Sequence, residues 1–398
     1  MNDAETRRDF IRLLIATLMF GSCSGIFLAV FNNYLDDVHH LDALRRGWLE
    51  FPRELPGFLI VFVSMGLLAF LRETKMAAMA MVISAAGAVG LGYLAKDTVT
   101  LVLFVALWSL GDHIIFAMEG PIGLKLARQG AEGRRLGQLG GARNLGVILG
   151  VGTVFGIAHI LGNRYGLFFL IAAFSAATAG HFYFRLRIDD GVRSKRIVLK
   201  KKYAIFYAIS ALFGVRKQIF LAFGTWVLVR LHGVEVGTIA LLYFIASLIG
   251  VVFRPLLGDV IDWLGERVVL AVDEVLLIII CLAYAFAGDI FPGTVSVWVL
   301  YGAYVLDSVL FALRIARTTY LKKIADDPAE ITPTISVGIT VDHLVAMSLP
   351  VLSGYIWERF GFRFVFILAA AIAVVGFFIC LQIRVPRIAA HEPAPTRT

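Results

Sequence analysis

Twelve runs of about twenty apolar residues, set apart by clusters of charged side chains, leave this chain one solvent in which to fold. The runs lie near 10–34, 47–71, 76–95, 98–120, 136–161, 165–184, 203–230, 236–258, 268–288, 294–318, 334–357 and 364–384. A helix rising 1.5 Å per residue needs roughly 20 residues to cross a hydrocarbon layer about 30 Å thick. With 59% hydrophobic and 17% charged residues, the chain is too poor in charge to cover a water-facing surface, which in ordinary globular proteins draws on about a quarter charged residues. Hydrocarbon offers no hydrogen bonds, so each run must satisfy its own backbone, and the expectation is an all-α membrane protein with twelve transmembrane helices.

The chain is also written twice. Asp112-His-Ile-Ile-Phe-Ala-Met-Glu119 recurs as Asp307-Ser-Val-Leu-Phe-Ala-Leu-Arg314, with the last charge reversed. Phe20-Gly21 and Ile26-Phe27-Leu28-Ala29 return as Phe213-Gly214 and Ile219-Phe220-Leu221-Ala222, and Arg143-Asn144 answers to Asp342-His343. The offsets, 193, 195 and 199 residues, are nearly constant, the mark of two parallel repeats. Two pseudo-symmetric six-helix bundles are therefore expected, at 1–187 and 203–388, joined by a basic cytoplasmic linker at 188–202 and followed by a disordered tail at 389–398.

The net charge of +8 is a matter of topology and not of nucleic acid. Arg7, Arg8 and Arg12, then Arg72 and Lys75, then Arg128, Arg134 and Arg135, then Lys322 and Lys323 fall in alternate loops, so both termini are expected in the cytoplasm, and the plasma membrane is the expected location. The first run is too long, and lacks the small-residue pattern, for a cleaved signal peptide. Cys23, Cys281 and Cys380 lie inside apolar runs without metal-ligand spacing, so reduced thiols, no metal and no cofactor are expected.

At the end of the eighth span, Gly258-x-x-x-Asp262-x-x-Gly265-x-Arg267 resembles the loop signature of the major facilitator superfamily. The passages from Pro350 to Gly354 and from Phe360 to Arg363 look similar to that superfamily too, as does Gly162-Asn-Arg164-Tyr165. The resemblance covers about the whole chain and implies secondary transport by that fold. It implies a gating role for Gly258, Asp262, Gly265 and Arg267, the aspartate latching the cytoplasmic side against a helix N-terminus. The first half lacks this signature, reading Phe70-Leu-Arg72-Glu73-Thr-Lys75 in its place.

An ionisable group at the bilayer centre costs about 2.5–3.5 kcal/mol on insertion scales, so such groups face a bundle interior and find partners. Counting from the span ends puts Asp112, His113, Arg216, Lys217 and Asp307 near the midplane. The resemblance implies that spans 1, 4, 7 and 10 line the central cavity. Asp112, Phe116 and Glu119 share one helical face, and Asp307, Phe311 and Arg314 repeat it. Arg216 or Lys217 is expected to hold an anionic group of the solute, with Asp112, His113 and Asp307 orienting it or carrying the coupling proton and Asn32 donating to it. Glu119 is expected to pair with Arg143, and Arg314 with Asp342, the same bridge with its polarity exchanged; simple fixing of helix packing would produce the same pairs. His343 is a candidate proton carrier. Glu50, Arg53 and Glu54 share a stripe on span 2 and form either an outer gate against the second half or a self-contained cluster.

These readings converge on a monomeric secondary active transporter moving a small polar solute, an organic anion or zwitterion, by alternating access with proton coupling. A lipophilic-cation exporter is the alternative, disfavoured by Arg216, Lys217 and Arg314; a solute sensor is a further one. An enzyme is not expected, because no nucleophile or metal motif lies at depth.

Overall fold

The computed structural model describes residues 3–68, 71–127, 132–188, 199–327 and 330–385. The expected tail and most of the linker lie outside the described residues. Everything regular among those described is helical: α1 (Asp3–Asp37), α2 (Ala43–Leu68), α3 (Glu73–Tyr93), α4 (Thr98–Lys125), α5 (Glu132–Leu161), α6 (Tyr165–Phe184), α7 (Ala204–Gln218), α8 (Val236–Leu264), α9 (Glu266–Ile290), α10 (Thr294–Leu310), α11 (Arg314–Ile324), α12 (Ile331–Phe360) and α13 (Phe362–Cys380). Helices α10 and α11 are one rod interrupted by a single tight turn at Phe311–Leu313, so the thirteen segments agree with twelve crossings. Eleven helices among the described residues are long and apolar enough to span a membrane. Helix α2 is 26 residues long and carries five charges, Arg45, Arg46, Glu50, Arg53 and Glu54, in its first half.

Helix α1 packs along α5 and α6, and α3 against α4 and α6; in the second half α13 lies on α9 and α12 on α7. Contact between the halves is made chiefly by α2 on α12 and by α5 on α8, each contact being the image of the other under the repeat. Both α1–α5 and α2–α12 are seated on glycine. A Cβ at Gly21 or Gly25 would run into the backbone of Arg143 or Val147, and one at Gly47 or Gly354 into that of Pro350 or Ala43. Helices in lipid lack a hydrophobic drive to associate, so close backbone approach at small residues supplies the packing.

The duplication is visible in contacts. Gly21 abuts the backbone of Arg143, and Gly214 abuts that of Asp342. The Phe20 and Phe116 rings meet edge to face at 5.4 Å, and Phe213 meets Phe311 at 4.8 Å. A guanidinium lies over each pair, Arg143 at 4.9 Å from Phe20 and Arg317 at 4.7 Å from Phe213.

Pro52, Pro56, Pro121 and Pro350 all stay inside continuous helices. The irregular backbone lies elsewhere: α7 runs on through two wide turns at Ile219–Gly224 and Val227–Leu231, and α10 tightens at Phe311. These departures begin within a turn of Lys217 and Asp307, and wide turns inside helices recur where side chains are aimed at a functional site.

Candidate functional site

A chain of buried charges crosses from the first half to the second, running from the first turn of α2 to the middle of α12. Arg46 of α2 donates to Glu50 one turn later and, through Nε, to Asn32 of α1 at 3.0 Å. Glu50, 0% exposed, also meets Arg53 at 2.5 Å and accepts from Gln218 of α7 at 2.7 Å. Arg53 continues to Glu54 at 3.1 Å, and Glu54 meets Lys217 of α7 at 3.2 Å and the Nδ1 of His343 of α12 at 2.8 Å. Lys217 closes the chain on Asp342 at 3.2 Å. Every charge in it has a neighbour of opposite sign, which is how a group that could not be left alone in hydrocarbon is tolerated.

His113 of α4 stands beside this chain. Its Nδ1 lies 2.8 Å from the Ser109 carbonyl oxygen, and its ring is 4.9 Å from that of His343. Gly57 of α2 makes the convergence possible, since a Cβ there would overlap both imidazoles. Ligand atoms of Glu54, His113 and His343 fall within 4.8 Å of one another, a donor set of the kind that holds a transition metal. Glu54 is already engaged by Arg53 and Lys217, however, so the trio offers no net negative site to a divalent ion, and its chemistry is that of hydrogen bonds and protons.

The second buried group belongs to one half. Arg216 donates through Nε to Asp307 at 2.9 Å and through Nη1 to Asp273 of α9 at 2.6 Å. Arg216, expected from the sequence to hold a solute, is thus occupied by two carboxylates. In the other half Glu119 accepts from Arg143. The mirrored bridge expected at Asp342 has a different cation, Lys217 of α7, while Arg314 begins α11 with its guanidinium 5.7 Å from the Phe311 ring. The tight turn before Arg314 resets the helical phase of the stripe expected to join Asp307, Phe311 and Arg314.

Asn32, expected to donate to a solute, donates to the Leu221 carbonyl at 3.3 Å while receiving Arg46, and Asn33 donates to the Val234 carbonyl at 2.7 Å. Together with Arg230–Asp36 at 2.9 Å and the Ala43 amide on Glu358 at 3.0 Å, they join the halves at the ends away from the termini. Glu50 and Arg53 pair with each other and also reach the second half through Gln218.

At the opposite end, Asp262 and Arg267 are exposed, and Gly258 has open space where a side chain would stand. Gly265 is needed by the turn itself, with φ at 79°. The buried acid of this signature is Glu266, which meets Lys323 of α11 at 2.7 Å; Glu73 and Lys125 form the corresponding pair in the first half at the same distance. The first half therefore keeps the ion pair although it lacks the glycines.

Sequence reasoning missed Asp273, Gln218 and Arg46. Asp273 carried a usable signal, being one of two adjacent acids, with Glu274, inside an otherwise apolar span. Gln218 carried none, because a lone amide beside two charges is unremarkable in sequence.

A two-halved helical membrane protein whose halves are clasped by buried ion pairs is a transporter in architecture. The chain belongs to the Major Facilitator Superfamily, whose sequence description matches residues 13–326. Its fold is similar to that of a mutant form of the nucleoside transporter NupG, with a TM-score of 0.79 and 15% identity over 94% of this chain and 99% of that one. It is also similar to a bacterial homolog of the human lysosomal transporter Spinster in an inward-facing and occupied conformation (TM-score 0.72, 15% identity, 96% of this chain and 98% of that one). The D-xylose-proton symporter gives a TM-score of 0.72 at 15% identity, over 94% and 97% of the two chains. No curated protein matches the sequence.

Proposed function

We propose that this protein is a secondary active transporter of the plasma membrane, with both termini cytoplasmic, that moves a small polar solute by alternating access and couples the movement to protons. The observation that carries this reading is the clasp of Glu54 by Lys217 and His343, in which one carboxylate of the first half is bound by a lysine and a histidine of the second. Any opening of the outer side must separate these groups. A solute that replaces one of the partners lowers the cost of that separation, which is how binding energy is converted into a change of state. Outer-end contacts such as Asn33–Val234 and Arg230–Asp36 are consistent with a state closed outside and poised toward the terminal side. The balanced charge of the clasp favours a solute with both donors and acceptors, a zwitterion or an organic anion, over a lipophilic cation. Proteins of similar fold that carry nucleosides or xylose widen the panel to be tried.

The test is uptake in proteoliposomes under an imposed pH gradient, with amino acids, carboxylates, nucleosides and sugars as solutes. Accumulation of one class that collapses with a protonophore and is lost in Lys217→Ala is expected. Gradient-independent uptake would overturn proton coupling, and unchanged uptake in Lys217→Ala would overturn the clasp.

A further inference from the structure

The nearly constant offset between the two repeats isolates one carboxyl. Asp307 in the second half is held by Arg216, itself shared with Asp273. At the offset of 193 residues that relates Phe20-Gly21 to Phe213-Gly214, the position of Arg216 is filled in the first half by Cys23, and that of Asp273 by Ala80. The image of Asp307 is Asp112. It keeps its acid and has lost both the cation and the second carboxylate.

Asp112 is 6% exposed, and its Oδ1 has no hydrogen-bond partner among the described residues. Its surroundings are accounted for helix by helix. Cys23 faces it from α1, Arg53 from α2 and Arg143 from α5, the two guanidinia acting from a distance while engaged with Glu50 and Glu119. From α3, Ala80 and Ser84 lie against the neighbouring Gly111. On its own helix Trp108 and His113 flank it, His113 being hydrogen-bonded to Ser109. A carboxylate stripped of a close partner in hydrocarbon is costly, and taking up a proton removes that cost. One turn further along the same face, Phe116 is 52% exposed.

We propose that Asp112 is the proton-binding site of this transporter, and that the Arg216–Asp273–Asp307 group is its salt-bridged counterpart. The inference rests on the proton-coupled reading above. The step is a protonation alone: the Asp112 carboxylate gains one proton from water on one side and releases it to water on the other, with no other bond made or broken. Duplication thus yields one half in which the buried acid is locked by a salt bridge and one in which it is free to exchange a proton.

Infrared difference spectroscopy of the purified full chain in lipid, titrated with acid, tests this without knowledge of the solute. A carbonyl-stretch component of a protonated carboxylic acid should grow as pH falls, be missing in Asp112→Asn and persist in Asp307→Asn. Asp112→Glu, which keeps the carboxyl, should retain the component at a shifted position and midpoint; that shift decides the matter if Asp112→Asn does not fold. Persistence of the unaltered component in Asp112→Asn or Asp112→Glu, or its absence from the parent protein at every pH, would overturn the proposal. If the component behaves as expected while no pH gradient drives any solute, the proton site stands and the transport reading fails.

Discussion

At the scale of single residues, cost is set by burial and by whether a partner remains. Glu50 is held by Arg46, Arg53 and Gln218 in the interior of the clasp. Glu50→Gln leaves two buried guanidinia under-compensated, and loss of one member of such a group costs about 3–5 kcal/mol. Chemical unfolding in detergent should show that loss, whereas Arg45→Ala, which removes only the exposed pair with Asp42, should change stability by less than about 0.5 kcal/mol. The terminal-side rim behaves differently because it is wet. Lys200 donates to Glu330 and Lys202 to Asp326. These hydrogen bonds hold both carboxyls below their ordinary values and raise the Lys200 ammonium above its own. Depressed carboxyls contribute stability above their unfolded values, near pH 4, and lose it as pH falls through the lower folded ones. Hydrogen exchange at the start of α7, corrected for intrinsic rates, should therefore accelerate below about pH 4, and Lys200→Ala with Lys202→Ala should remove that dependence.

At the scale of helices, the seams between α1 and α5 and between α2 and α12 depend on the absence of side chains. Gly146→Val would drive a branched side chain into the Leu18 carbonyl, and overpacking of this kind costs typically about 1–3 kcal/mol. Gly137→Ala, on the same helix with open space around it, should be neutral or stabilising by about 0.5–1 kcal/mol through helix propensity alone. Thermal unfolding of the two variants separates the effects. Most of this level is legible in the sequence, because apolar length and the repeat fix which helices exist and which correspond. Burial is legible too: Asp112, Arg216, Lys217 and Asp307, picked out by counting along spans, are all buried or partly buried. Pairing is less so. Glu119 with Arg143 follows from matched depth on neighbouring helices, but the partner of Asp342 depends on rotation about the axis of α7, where wide turns begin and the helical period no longer predicts facing. The prolines of α2 and α12 are accommodated within continuous helices, while the irregular turns of α7 and α10 fall in stretches that contain none.

At the scale of the whole molecule, two halves of one ancestral design meet along α2–α12 and α5–α8 and are clasped by Glu54, Lys217 and His343. The central claim is that they rock as bodies about this clasp. Distances between spin labels measured by pulsed electron resonance test it most directly, using exposed positions: Ile160 with Ile290 across the outer ends, Leu136 with Trp263 across the terminal-side ends, and Val99 with Ile160 within the first half. Breaking the clasp with Lys217→Ala should lengthen the outer cross-half distance, shorten the terminal-side one and leave the distance within the first half unchanged. Cross-half distances that stay fixed, or a within-half distance that changes as much as they do, would contradict the account.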